Sequence, residues 1–433
     1  MRTICEDRSV LLRHLAALSA VAAFGVVTGC AAVTPEPAPP PTAPAVPIDP
    51  ARFTEGEFAT FAAWQAAFRR RAEAEGISPA TLDRSLNGLQ PDPVVLERDA
   101  FQPEFTRAIW DYLDRAVSNT RISNGRAAAA PRAALLAEIE ERHSVDRNVV
   151  VAIWGLESAY GANYGNRPVI RSLATLAWDG RRRRFAEEQL IAALKIVEAG
   201  DISPGAMVGS WAGAMGHTQF IPTSFLAYAV DHEGDGRRDI WDPSAADALA
   251  STANYLARFG WEKGVPAAVE VRLPEGFDYL LAGGKTRKTA DGWQALGVRT
   301  VSGQSLPPSN GIEILLPAGA SGPAFAAYPN FRVIKRYNNA TSYALAVSHL
   351  ADRLGGAGPF VAQWPRGDRA LSRDETKELQ RLLTAQGYST KGADGIVGPN
   401  TRGAVRAWQA ANGRIPDGYV SGRLLESLRA REG

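Results

Sequence analysis

The sequence predicts a mainly α-helical (α+β) protein with a small β-containing insertion and a separate C-terminal helical unit. Segments between residues 51 and 260 place apolar residues at three- and four-residue spacing, as in amphipathic helices. Residues 265–335 change to short alternating or β-rich runs separated by Gly and Pro. After a stretch rich in Gly, residues 372–430 return to short helical patterns. The length allows two or three domains.

Each predicted element rests on its own pattern. Helical spacing is found in residues 58–74, 132–142, 184–199, 245–259 and 343–354. Strand patterns cover residues 269–273, which alternate, and 312–316, which are rich in β-forming residues. The order of these elements predicts one long helical domain that is interrupted near its end by the β-containing insertion.

The N-terminal segment predicts export from the cytoplasm. Three arginines within residues 2–13 precede a short apolar stretch, residues 15–27, as in a secretory signal. The stretch ends in Val27-Thr28-Gly29-Cys30, which resembles a bacterial lipoprotein processing box. The resemblance implies a signal peptide over residues 1–29 and a lipid on Cys30, and Ala31 then points to the outer membrane. An uncleaved anchor helix is the alternative.

The cysteine count, the Pro- and Ala-rich stretch and the net charge limit the classes of function that this chain can have. Cys5 and Cys30 are the only cysteines, so cleavage before Cys30 would leave no internal disulfide. Residues 34–50 are rich in Pro and Ala and predict an extended spacer. The formal net charge of +2 is too small to indicate a nucleic-acid partner. We expect a monomer in the periplasm, anchored to the outer membrane.

Glu157 is the strongest catalytic candidate. It follows the apolar run 149–156 and shares a helical face with Ile153 and Trp154. Burial raises the pKa of a carboxyl group, and a carboxylic acid that stays protonated near neutral pH can act as a general acid. A buried Glu paired with Arg, or a solvated Glu beyond the helix end, would produce the same pattern.

A second chemical segment spans residues 209–222. Its glycines at 209, 213 and 216 disfavour helix and allow close approach of a backbone. Ser210 and Gln219 are neutral hydrogen-bonding groups that suit sugar hydroxyls and N-acetyl groups. A tight structural turn would have a similar sequence.

Residues 231–242 have the spacing of a calcium-binding loop. The carboxylates at loop positions 1, 3, 5, 9 and 12 are Asp231, Glu233, Asp235, Asp239 and Asp242, with Gly236 at position 6. Asp at position 12 and Arg at position 8 depart from the usual pattern. The sequence predicts a weak, structural calcium site, and a polar turn closed by Arg–Asp pairs is the alternative. No cofactor is expected for the chemistry.

Four separated motifs resemble the membrane-bound lytic murein transglycosylase B family over residues 55–352. They are Trp154-Gly155-Leu156-Glu157-Ser158, the segment 209–216, Ala253-Asn254-Tyr255-Leu256, and the segment 336–344. The resemblance implies a lysozyme-like helical core and cleavage of the β-1,4 bond between N-acetylmuramic acid and N-acetylglucosamine in peptidoglycan, without water, to leave 1,6-anhydro ends. Ser158 stands where Thr is common in the family.

The resemblance also implies roles for single residues. Glu157 would be the only catalytic carboxyl, acting first as acid and then as base. The sugar cleft would be lined by Ser210, Gln219, Tyr255, Tyr337, Asn338 and Tyr343. For the three tyrosines, core packing is the alternative.

The C-terminal unit resembles the type 1 peptidoglycan-binding domain. The resemblance rests on 379–383, Gly387-Tyr388, 394–401 and 404–409. It implies a non-catalytic three-helix bundle, and in so small a bundle we expect Trp408 to be packed in the core. Asp394-Gly395 and Gly398-Pro399 predict a loop before a helix that starts near Thr401.

The predicted layout has five parts: a signal peptide (1–29), a lipidated linker (30–50), a lysozyme-like transglycosylase domain (51–355), a linker (356–371) and a peptidoglycan-binding domain (372–433). Two alternatives to the lyase remain at this point. One is a non-catalytic wall-binding lipoprotein, and the other is a hydrolytic muramidase.

Overall fold

The computed structural model describes residues 58–100, 108–283 and 286–431. The predicted signal peptide, the predicted lipidation site at Cys30 and the predicted spacer lie outside these residues. The helices of the described part are α1 Phe61–Ala74, α2 Pro79–Leu86, α3 Pro93–Ala100, α4 Ile109–Ala116, α5 Asn119–Ala129, α6 Ala133–His143, α7 Arg147–Ser158, α8 Val169–Asp179, α9 Arg183–Ala199, α10 Pro222–Tyr228, α11 Ala246–Arg258, α12 Ala290–Ala295, α13 Pro329–Tyr337, α14 Thr341–Leu354, α15 Arg373–Ala385, α16 Pro399–Ala411 and α17 Gly422–Arg429.

The strands of the described part are short and form two antiparallel sheets. They are β1 Arg167–Pro168, β2 Val208–Gly209, β3 Ala268–Arg272, β4 Arg299–Thr300, β5 Glu313–Leu315 and β6 Ala324–Ala327. β1 pairs with β2, and the larger sheet has the order β4-β3-β6-β5. The predicted mainly α fold with a small β-containing insertion is confirmed.

Helix α7 lies at the centre of the large helical domain. All residues from Val149 to Gly155 are buried, as expected of a helix whose sequence is apolar on every face. Helices α5, α6, α11 and α14 pack against it. This packing places the last turn of α7, with Glu157, next to the first turn of α14.

The β-containing insertion has a hydrophobic core of its own. Val271 of β3 pairs with Ala324 of β6, and Ile314 of β5 pairs with Ala326. Trp293 is fully buried behind the sheet, and its indole N–H donates to the Ile312 carbonyl at 2.8 Å. Such a hydrogen bond satisfies the one polar group of the buried ring.

The C-terminal bundle consists of α15, α16 and α17. Ser372 and Glu375 form a reciprocal capping box at the start of α15. Trp408 is fully buried in the bundle core and donates through its indole N–H to Gln386 at 2.8 Å. The prediction that Trp408 packs in the core is confirmed.

The segment between α14 and α15 is held against the rest of the chain. The Glu270 carboxylate, on β3, accepts the backbone N–H groups of Val361 at 2.8 Å and Ala362 at 2.7 Å. Arg366 makes a two-pronged ion pair with Asp114 of α4. The C-terminal bundle is therefore connected through a docked segment.

Across the described ranges, every helix is too short or too polar to cross a membrane.

Candidate active site

Glu157 lies in the last turn of α7, and its side chain is only partly exposed. Burial raises its pKa from the ordinary value of 4.5 to about 7, and a hydrogen bond from Tyr343 opposes the rise. Among the described residues, no other carboxyl group contributes to this shift. At neutral pH the protonated and ionised forms are therefore both well populated, as a group that first donates and then accepts a proton requires.

Tyr343 is the direct partner of Glu157. Its hydroxyl donates to Oε1 of Glu157 at 2.5 Å, although the two residues are 186 positions apart in the chain. The tyrosine is 5% exposed and lies in the first turn of α14, which packs along α7. This bond orients the carboxyl group, and within the described residues it leaves Oε2 without a hydrogen-bond partner.

Two further tyrosines, Tyr337 and Tyr112, lie close enough to Glu157 to interact with its charge. The pKa of Tyr337 and that of Tyr112 are both raised, first by burial and then by the nearby Glu157 carboxylate. The Tyr337 hydroxyl donates to the Thr218 carbonyl at 2.5 Å, which connects α13 to the glycine-rich segment.

Tyr112 was not identified from the sequence. It lies on α4, and no motif marks that helix. It approaches Glu157 because α4 packs on α14, which is a tertiary contact without a local sequence signal.

The chain turns sharply directly after Glu157 and Ser158. Ala159, Tyr160 and Gly161 all have left-handed backbone angles, with φ of 51°, 63° and 85°. For residues with a Cβ this conformation is costly, so surrounding contacts must hold it. Tyr160 provides one, because its hydroxyl donates to the Arg121 carbonyl at 2.8 Å.

Gly155 is required by this turn. A Cβ at position 155 would lie 2.5 Å from the ring of Tyr160, closer than packed atoms approach. The Gly of the Trp154-Gly155-Leu156-Glu157 motif therefore allows Tyr160 to fold back over α7.

Ser158 joins the end of α7 to the glycine-rich segment. Its hydroxyl donates to the His217 carbonyl at 2.5 Å and accepts the N–H of Gly161 at 2.9 Å. Trp154 adds a second connection, with its indole N–H 3.1 Å from Nδ1 of His217. The hydroxyl of Ser158 thus has a structural role that Thr could also perform.

The glycine-rich segment is a compact loop in which Ser210 shapes the turn. Its Oγ accepts the backbone N–H groups of Ala214 at 3.0 Å and Ala212 at 3.3 Å. The residue is partly exposed. The structure thus gives Ser210 a backbone-bracing role that is compatible with its predicted contact with sugar.

Gln219 has a left-handed backbone (φ 55°) and a fixed side chain. Its amide nitrogen donates to the carbonyls of Gly216 at 2.9 Å and Tyr164 at 3.0 Å. With both N–H groups used, the amide presents its oxygen, which accepts no hydrogen bond from any described residue. That oxygen can accept from a sugar hydroxyl or an N-acetyl N–H.

Tyr255 and Asn338 have structural contacts in this fold. Tyr255 is 8% exposed, and its hydroxyl donates to the Arg336 carbonyl at 2.7 Å. Its ring packs edge-on against Tyr337, with 5.1 Å between centroids. Asn338 is exposed and accepts the N–H of Ala340 at 3.1 Å just before α14. Their roles in the sugar cleft stay predictions.

The loop 231–242 uses several of its carboxylates internally. Asp231 accepts the backbone N–H groups of Gly234 at 2.6 Å and Gly236 at 2.8 Å, which lowers its pKa. Asp239 accepts from the N–H of Trp241, and Asp242 from that of Ser244. Nowhere in the described ranges do three or more His, Cys, Asp or Glu side chains gather as a metal site would require.

The loop is nevertheless held in place by buried carboxylates outside it. Asp247 of α11 accepts the N–H groups of His232 and Asp239, both at 2.7 Å. Asp201 makes a two-pronged pair with Arg238. Glu233 and Asp235 of the loop lie on an exposed surface. The predicted calcium site is therefore not preformed, and binding would require the carboxylates to reorient.

Two family matches cover most of the described chain. The family described as "Transglycosylase SLT domain" matches residues 60–352, and the family described as "Putative peptidoglycan binding domain" matches residues 372–428. The chain belongs to the SLT-domain transglycosylases. The first match contains Glu157, Tyr337 and Tyr343, and the resemblance drawn from the sequence motifs is confirmed.

Relatives of known structure agree with this assignment. SltB3 from Pseudomonas aeruginosa, solved in complex with NAG-NAM-pentapeptide, is 52% identical in sequence and superposes with a TM-score of 0.83. The matched region covers 86% of this chain and 100% of the SltB3 chain. The Escherichia coli lytic transglycosylase SLT35, solved in complex with calcium, is 29% identical in sequence and superposes with a TM-score of 0.59. The matched region covers 70% of this chain and 96% of the SLT35 chain. The predicted lysozyme-like core with a C-terminal helical unit is confirmed.

The alignment with a third relative covers a smaller part of both chains. The membrane-bound lytic murein transglycosylase B of Escherichia coli is 35% identical over 219 residues, which are 49% of this chain and 58% of that protein. The alignment thus spans less than two thirds of the length of that relative.

Proposed function

We propose that this SLT-domain transglycosylase cleaves the β-1,4 bond between N-acetylmuramic acid and N-acetylglucosamine in peptidoglycan without water and leaves 1,6-anhydromuramic ends. The observation that carries the proposal is the carboxyl group of Glu157, with a pKa of about 7 and no second described carboxyl group acting on it. Hydrolases of glycosides generally use two carboxyl groups. A single group suffices when the substrate itself supplies the nucleophile.

In the first step, protonated Glu157 donates its proton to the glycosidic oxygen as the bond from that oxygen to C1 of the muramic residue breaks. Tyr343 holds Oε1, which leaves Oε2 as the donating oxygen. Positive charge develops at C1, and the N-acetyl group of the substrate shields it. The leaving sugar departs with a hydroxyl group.

In the second step, the O6 hydroxyl of the muramic residue attacks C1. A bond forms between O6 and C1, and the hydroxyl proton passes to the Glu157 carboxylate, which restores the acid. No water is consumed. A pKa of about 7 suits a group that performs both transfers.

For substrate binding we propose the partly exposed Ser210 and the amide oxygen of Gln219, on the segment that Ser158 attaches to α7. Tyr337 and Tyr343 would line the cleft beside the acid. Tyr255 would support Tyr337 from behind through its ring contact. Asn338, at the exposed C-terminal end of α13, would contact the sugar from the rim.

We further propose the layout and location that the sequence predicts. A lipid on Cys30 would attach the protein to the outer membrane, with the catalytic domain (51–355) and the wall-binding domain (372–433) in the periplasm. The match of residues 372–428 to the peptidoglycan-binding family supports the second domain as a wall anchor.

Mass spectrometry of digested peptidoglycan tests the proposal. The lyase predicts muropeptides with 1,6-anhydro ends, which weigh one water less than hydrolytic products. Reducing muramic ends would instead show a hydrolytic muramidase. Wall binding without any released fragment would show a non-catalytic binder.

A further inference from the structure

A cavity lined by five cationic side chains is formed by the β-containing insertion, helix α13 and helix α16 of the C-terminal bundle. Its volume is about 430 Å³, which is within the range of small-molecule sites. Arg332 and Lys335 lie three positions apart on one face of α13, and Arg402 and Arg406 lie four positions apart on one face of α16. Arg287, from the insertion, is the fifth cation. The proposed mechanism of bond cleavage uses none of them.

Direct contacts hold the bundle against the insertion beside this cavity. Arg406 donates to the Ala282 carbonyl at 2.5 Å, and the Asp417 carboxylate accepts the backbone N–H of Ala320 at 2.8 Å. A Cβ at Gly319 would lie 2.5 Å from the Asp417 carboxylate, so the two surfaces touch closely there. The cations of both surfaces are therefore kept around the same cavity by the fold.

The cavity has an excess of positive charge. Glu313 and Asp417 also line it, so five cations face two carboxyl groups. Asp417 already accepts a backbone N–H and, at 2.7 Å, the side-chain amide of Gln409. Burial raises the pKa of Glu313, although three of the cations oppose that rise. Even with both carboxyl groups ionised, three positive charges have no counterpart in the cavity.

Groups of the protein satisfy these cations only in part. Among the described residues, none of the five cations forms an ion pair within 4.0 Å. Nε of Arg406 is buried and has no hydrogen-bond partner in the described chain. Burial, and after it the nearby Arg287, lower the pKa of the Arg332 guanidinium, although Glu313 and Glu262 oppose this effect. Like charges that are partly withdrawn from water repel one another, and an anion between them removes that repulsion.

Charge and geometry indicate the class of anion. A carboxylate would cancel one of the three surplus charges, whereas a phosphate monoester carries a charge of about −1.5 to −2 at pH 7 and three acceptor oxygens. Four of the five cations are arginines, whose planar guanidinium groups bind phosphate oxygens through paired hydrogen bonds. Leu315, Leu316 and Phe331 also line the cavity and offer an apolar surface to the organic part of an ester.

We propose that this cavity binds a phosphate monoester, and that the bound phosphate bridges α13 of the catalytic domain to α16 of the C-terminal bundle. The proposal goes beyond the cleavage reaction and does not depend on it. Because a phosphate between the two cationic helix faces replaces repulsion by attraction, its binding should also strengthen the docking of the bundle. A soluble ester and the headgroup of a lipid such as phosphatidic acid both present this chemistry.

Calorimetric titration of the protein with glycerol 3-phosphate tests the proposal. The wild type should bind this ester, and it should bind acetate at the same ionic strength at least about 10-fold more weakly. Lys335→Gln/Arg402→Gln should weaken the binding of glycerol 3-phosphate roughly 30-fold, since two charge-assisted contacts are lost. Neither of these side chains hydrogen-bonds to a described residue, so the variant should keep the fold.

The matched control removes one arginine and one lysine from exposed positions of the same bundle. Arg381 and Lys391 lie outside the cavity, and Arg381→Gln/Lys391→Gln should leave the binding of glycerol 3-phosphate unchanged. Weakened binding in this control would mean that the net charge of the protein attracts the ester, and it would overturn the site.

Thermal unfolding gives a second readout. Saturating glycerol 3-phosphate should raise the melting temperature of the wild type by roughly 3 °C and should not raise that of Lys335→Gln/Arg402→Gln. Without the ester, this variant should melt no lower than the wild type, because it has lost charges that repel one another. A clearly lower melting temperature would show that the two cations stabilise the fold through protein contacts, and it would contradict the proposal.

Dihexanoylphosphatidic acid, a short-chain lipid used below its micelle concentration, distinguishes the two sources of the phosphate. Tighter binding of this lipid than of glycerol 3-phosphate supports a lipid headgroup as the ligand, and equal or weaker binding supports a soluble ester. Failure of both compounds to bind the wild type would overturn the proposal, as would equal affinity for acetate or unchanged binding in Lys335→Gln/Arg402→Gln. None of these measurements requires cleavage of peptidoglycan, so their failure would leave the proposed lyase reaction unaffected.

Discussion

Glu157 and the loop 231–242 show how differently the same chemical group behaves in two parts of this protein. Glu157 is a single carboxyl group in a poorly solvated position with one hydrogen bond, and its pKa rises to about 7. Asp231 of the loop is solvated and accepts three backbone N–H groups, and its pKa falls below the ordinary value. The difference in pKa between these two carboxyl groups therefore follows from the loss of solvent at Glu157 and from the backbone N–H groups that surround Asp231.

The largest expected effect is on cleavage itself. Glu157→Gln keeps the shape of the side chain but removes the transferable proton, so the release of fragments from peptidoglycan should fall by at least about 10³-fold. Turbidity loss and mass spectrometry would measure it. Glu188→Gln, an exposed change on α9, is the matched control. Retained cleavage in Glu157→Gln would place the acid elsewhere.

The same substitution should stabilise the protein in a pH-dependent manner. Because the pKa of Glu157 is raised from 4.5 to about 7, the folded state holds a proton that the unfolded chain loses between these values. Wild-type stability should therefore fall as pH rises through this window and level off above it. Glu157→Gln lacks this loss and should be about 1–3 kcal/mol more stable above pH 7, with no difference below pH 4.5.

Urea unfolding of both proteins across pH 4 to 8 would measure this difference. The Glu188→Gln protein should follow the wild-type curve. A constant difference in stability between wild type and Glu157→Gln at every pH would mean that the pKa of Glu157 is not raised by burial.

Removal of the Tyr343 hydroxyl should have a smaller effect. Its hydrogen bond lowers the pKa of Glu157, so Tyr343→Phe should raise that pKa further. The basic limb of the pH–rate profile should move to higher pH, and the rate near pH 7 should fall about 10-fold because the carboxyl group loses its orientation. Tyr279→Phe, a change in the distant insertion, is the control. An unmoved basic limb would assign the limb to a group other than Glu157.

The smallest expected effect concerns calcium. If the loop 231–242 gathers its carboxylates around the cation, millimolar Ca²⁺ should raise the melting temperature by roughly 2 °C, and Mg²⁺ should not. Asp235→Asn should abolish the shift, whereas Asp291→Asn, in the insertion, should keep it. Absence of any shift in the wild type would leave the loop as a polar turn held by Asp247 and Asp201.

Much of the fold followed from periodicity. Predicted helices at residues 58–74, 184–199 and 245–259 appear as α1, α9 and α11 with ends shifted by at most three residues. The strands at 269–273 and 312–316 appear as β3 and β5. These patterns are readable because burial of one face imposes the helical or strand period on the sequence itself.

The candidate site could be predicted only in part, because a local period does not show which distant residues come into contact. Glu157 and Tyr343 each carried a local or family signal, but their direct contact spans 186 positions. Tyr112 carried no signal, since its approach to Glu157 depends on the packing of α4 on α14. The cations that line one cavity, Arg287, Arg332, Lys335, Arg402 and Arg406, come from three separate segments and form no motif.

The sequence by itself determined the order of the helices, the place of the sheet insertion, the C-terminal bundle and the family motifs around Glu157, because these depend on local spacing and residue type. Only the tertiary structure decided which carboxyl groups are deprived of solvent, which tyrosine binds Glu157, and which cations of α13 and α16 line the same cavity. Desolvation and Coulomb interactions depend on distances between segments far apart in the chain, and such distances exist only after the helices pack.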